Sequence, residues 1–210
     1  MNKEIIIVDD HQLFTHSLQI LVNSFEGFEV SRTFKNGEEL VHYFNENKTP
    51  SDLILLDMRM PIMNGLETMA WLKQNLPEQK VLALTVDQED EHIIKMLRLG
   101  CRGYLLKDID PEMFEHALNS TINTGYFTNK TISDAMSHEE RKKNYHALTG
   151  REMEFLTHAC SEKTYKEVAK DMNLSPKTVE NYRESLFSKL QVRSRVGLVM
   201  FAIKEEIFKV

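Results

Sequence analysis

Cysteine is scarce in this chain, with two in 210 residues. Cys101 and Cys160 lie far apart and show no metal-ligand spacing. That disfavours a disulfide framework or a thiolate site, so two buried thiols in a reducing compartment are expected. Long apolar runs are missing as well, none approaching the ~20 residues of a membrane span. Met1-Asn2-Lys3-Glu4 leads straight into an apolar run and leaves no room for a signal peptide. The expectation is therefore a cytoplasmic protein with no membrane partner. Internal repeats and low-complexity tracts are lacking too. Nor is there an excess of positive charge: the net value is −6, a weak argument against nucleic acid as partner. The average conceals two halves. Residues 1–148 hold 15 basic against 23 acidic residues, a balance of −8, whereas residues 149–210 hold 11 against 9, a balance of +2.

What is present is a globular composition, 41% hydrophobic and 28% charged, long enough for one large domain or two small ones. The first half is built around Leu53-Ile54-Leu55-Leu56, four apolar residues that run into a lone carboxylate, Asp57. A continuous apolar run suits a strand covered on both faces, as in the middle of a parallel sheet. Three further runs end in the same way: Ile5 to Val8 at Asp9-Asp10, Val81 to Leu84 at Thr85, and Tyr104 to Leu106 at Lys107. Open parallel sheets carry their chemistry beyond the carboxyl ends of their strands, so these side chains would converge on one pocket.

In chain order, the strands alternate with segments of helical spacing. Leu13, Leu18, Leu21 and Val22 follow the first strand, and Phe28 to Val30 opens a short second one before a helix over Gly37–Phe44. Asn64-Gly65 starts a third helix and Leu76-Pro77 stops it. An acidic turn from Asp87 to Glu91 opens a fourth, closed by Gly100 in the manner of a left-handed cap. Pro111 begins a fifth, carrying Phe114, Ala117 and Leu118. Five strands and five helices in alternation read as an α/β fold with a parallel sheet. From about Lys130 to Ala147 the pattern dissolves into polar residues, a linker with partial helix. After Leu148 every segment is helical. Thr149 and Glu152 form a capping box, a short helix runs over Tyr165–Met172, and Asn173-Leu174 turns. Ser175-Pro176 then opens a helix reaching Leu190. Short helix, tight turn and capped longer helix make a helix-turn-helix. A last helix over Ser194–Ile207 places Val196, Val199, Met200 and Ile203 on one face.

Asp9, Asp10 and Asp57 packed together would repel one another unless a cation intervened. Mg²⁺ suits such oxygen ligands, and a carboxylate beside it can act as nucleophile towards phosphorus. Lys107 and Thr85 can meet the charge on the transferred oxygens. Each acid taken alone could be a helix cap and Lys107 a surface lysine; it is the four strand ends together that point to phosphoryl chemistry.

Residues 1 to about 125 resemble the receiver domain of two-component signalling, in Asp9-Asp10, Asp57, Met60-Pro61, Gly65, Thr85 and Lys107. Residues 148 to 210 resemble the LuxR-type helix-turn-helix of NarL/FixJ response regulators. The matching text is Leu148-Thr149-Gly150-Arg151-Glu152, Lys166-Glu167-Val168-Ala169, Leu174 to Glu180 and Lys189-Leu190. The resemblance implies a flavodoxin-like (βα)5 receiver over 1–127, a linker over 128–147 and a small all-α DNA-binding domain over 148–210. It implies that a sensor histidine kinase phosphorylates Asp57, and that Asp10, Asp57 and the backbone carbonyl of Arg59 hold Mg²⁺ with Asp9 assisting through water. It also implies that Thr85 and Tyr104 move together as a switch. Tyr104 is explained nearly as well as a strand aromatic. Implied partners are promoter DNA, a second copy of the chain on activation, and RNA polymerase.

In the second half, Glu180, Asn181 and Glu184 face outward near the start of the recognition helix, where Asn can pair with adenine and Glu can accept from cytosine. Lys177, Thr178, Arg183 and Lys189, with Thr164, Tyr165 and Lys166 from the preceding helix, are candidates for DNA phosphate contacts. Two acids on that face predict modest affinity and reliance on a dimer. Tyr182 stands where family members more often carry His. Arg59 and Asp87, two residues past Asp57 and Thr85, either pair across the pocket mouth or remain solvated loop charges. Two other readings stay open: a Mg²⁺-dependent phosphatase or phosphotransferase, and a transcription factor whose receiver is only a scaffold. The first wants an acid two residues past the nucleophile, where Arg59 stands.

Overall fold

The computed structural model describes residues 2–46, 49–86, 88–205 and 207–208. Asp87, one of the two expected mouth residues, lies outside them. The first unit alternates β1 (Lys3–Val8), α1 (Gln12–Ser24), β2 (Phe28–Phe34), α2 (Gly37–Glu46), β3 (Leu53–Leu56) and α3 (Gly65–Asn75). It continues through β4 (Val81–Thr85), α4 (Asp90–Leu99), β5 (Gly103–Leu106) and α5 (Pro111–Thr124). All strand pairs are parallel, in the order β2-β1-β3-β4-β5. The chain divides into two compact units, residues 1–136 and 137–210. No helix among the described residues is long and apolar enough to cross a membrane.

Alternation along each strand sends successive side chains to opposite faces of the sheet. Ile6, Val8, Ile54, Leu56, Val81, Ala83 and Tyr104 pack on one face with Leu40 and Phe44 of α2, Met69 and Leu72 of α3, and Ile93 and Met96 of α4. Ile5, Ile7, Leu53, Leu55, Leu82, Leu84 and Leu105 pack on the other with Leu18 and Val22 of α1 and Phe114, Ala117 and Leu118 of α5. Burial on both faces explains the unbroken apolar runs. At roughly 1.5–3 kcal/mol for each fully buried aliphatic side chain, these two layers are the main force holding the strand ends in register.

Three details depart from expectation. β2 runs on to Phe34, paired with β1 as far as Val8. It is an edge strand, and its exposed Ser31, Arg32 and Thr33 hid its length. Leu13 does not join the buried side of α1 but is 82% exposed. The segment expected as a linker with partial helix is helical over nearly its whole length, as α6 (Lys130–His146). Asn129 caps it by accepting from the Ile132 N–H at 3.0 Å, while its amide donates to the Tyr104 carbonyl. Ile132 and Ala135 are buried in the core of the first unit.

The second unit holds the rest of α6, then α7 (Gly150–Ala159), α8 (Tyr165–Asp171), α9 (Pro176–Lys189) and α10 (Arg195–Lys204). Thr149 and Glu152 form the expected capping box, Thr164 and Glu167 a second, and Ser175 caps α9 by accepting from the Thr178 N–H. Asn173 makes the turn between α8 and α9 at φ 52°, a left-handed conformation that Asn tolerates. Phe155, Leu156, Val168, Val179, Leu186, Leu190 and Leu198 form the core. On α10 the inward residues are Leu198, Phe201 and Ala202; Val196 and Met200 do share a face, the outward one, at 70% and 61% exposure.

Candidate functional site

Backbone hydrogen bonds stitch the carboxyl ends of the strands together before any side chain takes part. The Asp57 N–H donates to the Val8 carbonyl at 2.9 Å and the Lys107 N–H to the Thr85 carbonyl at 2.8 Å. The ends of β1, β3, β4 and β5 therefore share one edge. There, Lys107 Nζ lies 2.6 Å from Asp9 Oδ2 and 3.1 Å from Asp57 Oδ1. All three side chains are buried or nearly so, and the ammonium also sits 4.6 Å from the centre of the Phe14 ring. The Arg59 N–H donates to Asp57 Oδ2 and the His11 N–H to Asp9 Oδ1. Burial pushes the Asp57 carboxyl above its ordinary value; Lys107 opposes that shift and the Asp9 carboxylate adds to it.

Asp9, Asp10, Asp57 and His11 bring one potential ligand atom each within 4.8 Å of one another. Asp10 Oδ1 is buried and accepts no hydrogen bond, although His11 Nδ1 lies 3.2 Å away. A buried carboxylate oxygen without a donor is rare in folded proteins, and a cation ligand is one way to satisfy it. His11, exposed at the N-terminal end of α1, turns its ring nitrogen to both acids of the β1 end, 3.2 Å from each. Thr85 is fully buried at the end of β4, and Tyr104 is fully buried among the apolar side chains on one face of the sheet. Arg59 reaches Glu89 at 3.8 Å, an exposed pair. Gly65 is required by close approach: a Cβ there would collide with the Asp57 carbonyl and lie 2.8 Å from Met58 Cα.

In the second unit the candidate DNA residues separate into two groups. Lys166, Lys177 and Asn181 are exposed, and Lys166 and Lys177 make no ion pair among the described residues. The others are already engaged. Thr164 caps α8, and the Thr178 hydroxyl shares a hydrogen bond with Ser175. Tyr165 stacks near Phe155, with Arg195 5.2 Å from its ring centre and Arg183 at 6.0 Å. Burial raises its phenol above the ordinary value, partly offset by the two arginines. Arg183 Nη2 lies 2.7 Å from Glu180 Oε1 and 3.7 Å from Glu184 Oε1. Lys189 donates to both Glu152 oxygens, at 2.7 and 2.9 Å, and Ser185 donates to Oε1. Burial alone would raise the Glu152 carboxyl; Lys189, Thr149 and Ser185 outweigh it and hold the pKa at about 2. The capping-box spacing announced Glu152 as a cap. Its second task, tying α7 to α9, had no local signal.

Residues 5–119 match the family described as the response regulator receiver domain, and residues 146–202 the luxR family of bacterial regulatory proteins. The chain is 30% identical over 206 residues to the transcriptional regulatory protein YhcZ of Bacillus subtilis, covering 96% of this chain and 95% of that one. It is 28% identical over 205 residues to the response regulator UvrY of Escherichia coli, covering 95% and 93%. Among solved structures, RcsB of Salmonella typhimurium superimposes with a TM-score of 0.61 at 23% identity, over 97% of this chain and 98% of that one. A structure of an RcsB–DNA complex superimposes with a TM-score of 0.60 at 22% identity, with the same coverage.

Proposed function

The chain belongs to the NarL/FixJ-type response regulators, which join a receiver to a LuxR-family helix-turn-helix, and from that premise we propose that phosphorylation of Asp57 controls DNA binding by α9. The observation that carries this reading is the placement of Lys107, just past the end of the edge strand β5, within 3.1 Å of Asp57 and 2.6 Å of Asp9. An Asp57 oxygen attacks the phosphorus of a phosphohistidine on a sensor histidine kinase. The P–N bond breaks as the P–O bond forms, and the imidazole leaves with its electron pair. Lys107 moves from carboxylate to phosphoryl oxygen, where an ammonium is worth most. Thr85, at the end of the neighbouring strand, follows the phosphoryl group, and Tyr104 repacks with it.

Asp10, Asp57 and the Arg59 carbonyl would hold Mg²⁺, with Asp9 behind them. These donors are all hard oxygen, and Asp10 Oδ1, buried without a hydrogen bond, fits the role. When bound, the ion supplies positive charge to the phosphoryl oxygens. His11 lies 3.2 Å from a carboxylate oxygen of both Asp9 and Asp10, at the rim of this set.

The activated form binds promoter DNA as a homodimer and acts on RNA polymerase from there. Lys166 and Lys177, exposed and without an ion pair among the described residues, are suited to phosphate contacts, and Glu180, Asn181 and Glu184 to base edges. The outward stripe of α10, Val196, Met200 and Ile203, is apolar and suits a second copy; the relative RcsB is described as two dimers bound to two parallel DNAs. The receiver ends within α6, and the helical unit takes the remainder. Incubation with acetyl phosphate and Mg²⁺, followed by phosphate-affinity gels, tests the first step. One stable label in the wild type and none in Asp57→Ala is expected. Multiple turnover would favour a phosphatase instead, and absence of label a scaffold receiver.

A further inference from the structure

Glu180 and Glu184 stand on the face of α9 that would enter the major groove, where two bare carboxylates should repel the phosphates on either side. The structure holds an answer in Arg183. Its guanidinium lies 2.7 Å from Glu180 and 3.7 Å from Glu184, 5.8 Å from the centre of the Phe187 ring and 6.0 Å from that of Tyr165. Arg183 is the more sheltered partner, its side chain 31% exposed against 44% and 64% for the two acids. Its Nε is buried with no acceptor, so the group is packed inward and not reaching for solvent. The carboxylates are thus more open to solvent than the cation that pairs with them.

We propose that Arg183 is a positioning residue that holds Glu180 and Glu184 as paired acceptors for cytosine amino groups in the major groove, and is not itself a phosphate contact. The proposal rests on the reading of α9 as the DNA-binding helix. Three physical points support it. A carboxylate has about four acceptor sites, so one committed to Arg183 still has others for a base. The guanidinium offsets one of the two negative charges, which makes the approach to DNA tolerable. Finally, an ionised carboxylate cannot donate. Cytosine offers N4–H₂, whereas adenine sets its N7 lone pair beside its amino group, so cytosine is the better match. Asn181, exposed and beside the acidic pair on the helix, can donate and accept and so suits adenine.

The test uses the full chain treated with acetyl phosphate, as wild type, Glu180→Gln and Arg183→Lys, each selecting duplexes from a random pool. Binding to the selected site and its single-base variants is then measured across a salt series. The wild type is expected to select cytosine at one or two positions of each half-site. Glutamine pairs with adenine, so Glu180→Gln should replace one of those cytosines by adenine. Arg183→Lys keeps the charge but loses the fork and the stacking; it should lower discrimination at the same positions about tenfold, with an unchanged slope of log affinity against log salt. Uniform weakening across all sequences, with a slope smaller by about one, would make Arg183 a phosphate contact and overturn the proposal. Identical sites for Glu180→Gln and wild type would overturn it too. A wild type that selects no common sequence overturns the DNA-binding reading beneath, and the proposal with it. Should circular dichroism show Arg183→Lys unfolded, the base swap in Glu180→Gln decides alone.

Discussion

At the scale of single residues, buried charges are decided by their partners. Lys107 separates two buried carboxylates, and its removal would leave Asp9 and Asp57 facing each other without a cation. Lys107→Ala is expected to slow labelling of Asp57 by roughly 10²–10³-fold, the cost of losing one preorganised stabilising group, as read from the time course on phosphate-affinity gels. A rate within a few-fold of wild type would show that the lysine is structural only. Glu152 gives a different kind of expectation, because its pKa of about 2 lies below the ordinary carboxylate value of 4.5. A depressed folded-state pKa contributes stability that is complete above the unfolded value and disappears as pH falls through the folded one. The window is therefore about pH 4.5 down to about 2, and the contribution at neutral pH is up to about 3 kcal/mol. Glu152→Gln should lower stability of the helical unit by about 2 kcal/mol at pH 7, since Lys189 keeps some solvent, and by little at pH 2.5. Urea titrations followed by circular dichroism at both pH values measure this. Equal losses at the two would refute an ionic origin.

At the scale of elements, what could be read from sequence was whatever repeats along one segment. The strand cores, the capping box at Thr149 and the Ser175-Pro176 start all depend on neighbours within a few residues, and all appear where spacing placed them. The convergence of Asp9, Asp57 and Lys107 was legible because parallel strands align their ends. What escaped depends on distant partners. Polar α6 shows few apolar residues, and only the core around Ile132 and Ala135 explains it. Lys189 and Arg183 look like free cations until Glu152 and Glu180 are found beside them. Periodicity likewise grouped Val196 and Met200 without telling inward from outward. That outward stripe makes a prediction for α10: Met200→Glu should weaken self-association of the phosphorylated chain at least tenfold, by sedimentation, while its melting temperature stays near that of the wild type, as expected for an exposed position. For the β3–α3 connection, Gly65→Ala forces the Asp57 carbonyl to shift. It should both destabilise the receiver and reduce labelling, an effect a side chain at the solvent-facing Gly150 would not have.

At the scale of the whole molecule, the question is where the receiver stops. Family resemblance ends it near residue 127, but the core continues. Ile132 is 4% exposed and Ala135 fully buried, packed with residues such as Ile93, Met96 and Tyr104, and Asn129 secures the Tyr104 carbonyl. From Ser137 onward, α6 instead belongs with the helical unit. His138 Nε2 lies 2.7 Å from Glu205 Oε1, Asn144 donates to the Lys189 carbonyl, and Tyr145 packs against Phe201. One helix thus contributes residues to two cores, its start to the receiver and its remainder to the helical unit. This can be tested with two fragments, 1–127 and 1–136. Each retains Trp71, the chain's one tryptophan, whose fluorescence reports receiver unfolding without interference from the helical unit. Loss of a buried Ile, a buried Ala and a capped helical turn should make 1–127 less stable by about 2–4 kcal/mol in urea. It should also reduce the lifetime of label on Asp57, since Tyr104 loses its restraint. Equal urea midpoints would mean that the start of α6 only rests on the receiver and adds nothing to its core.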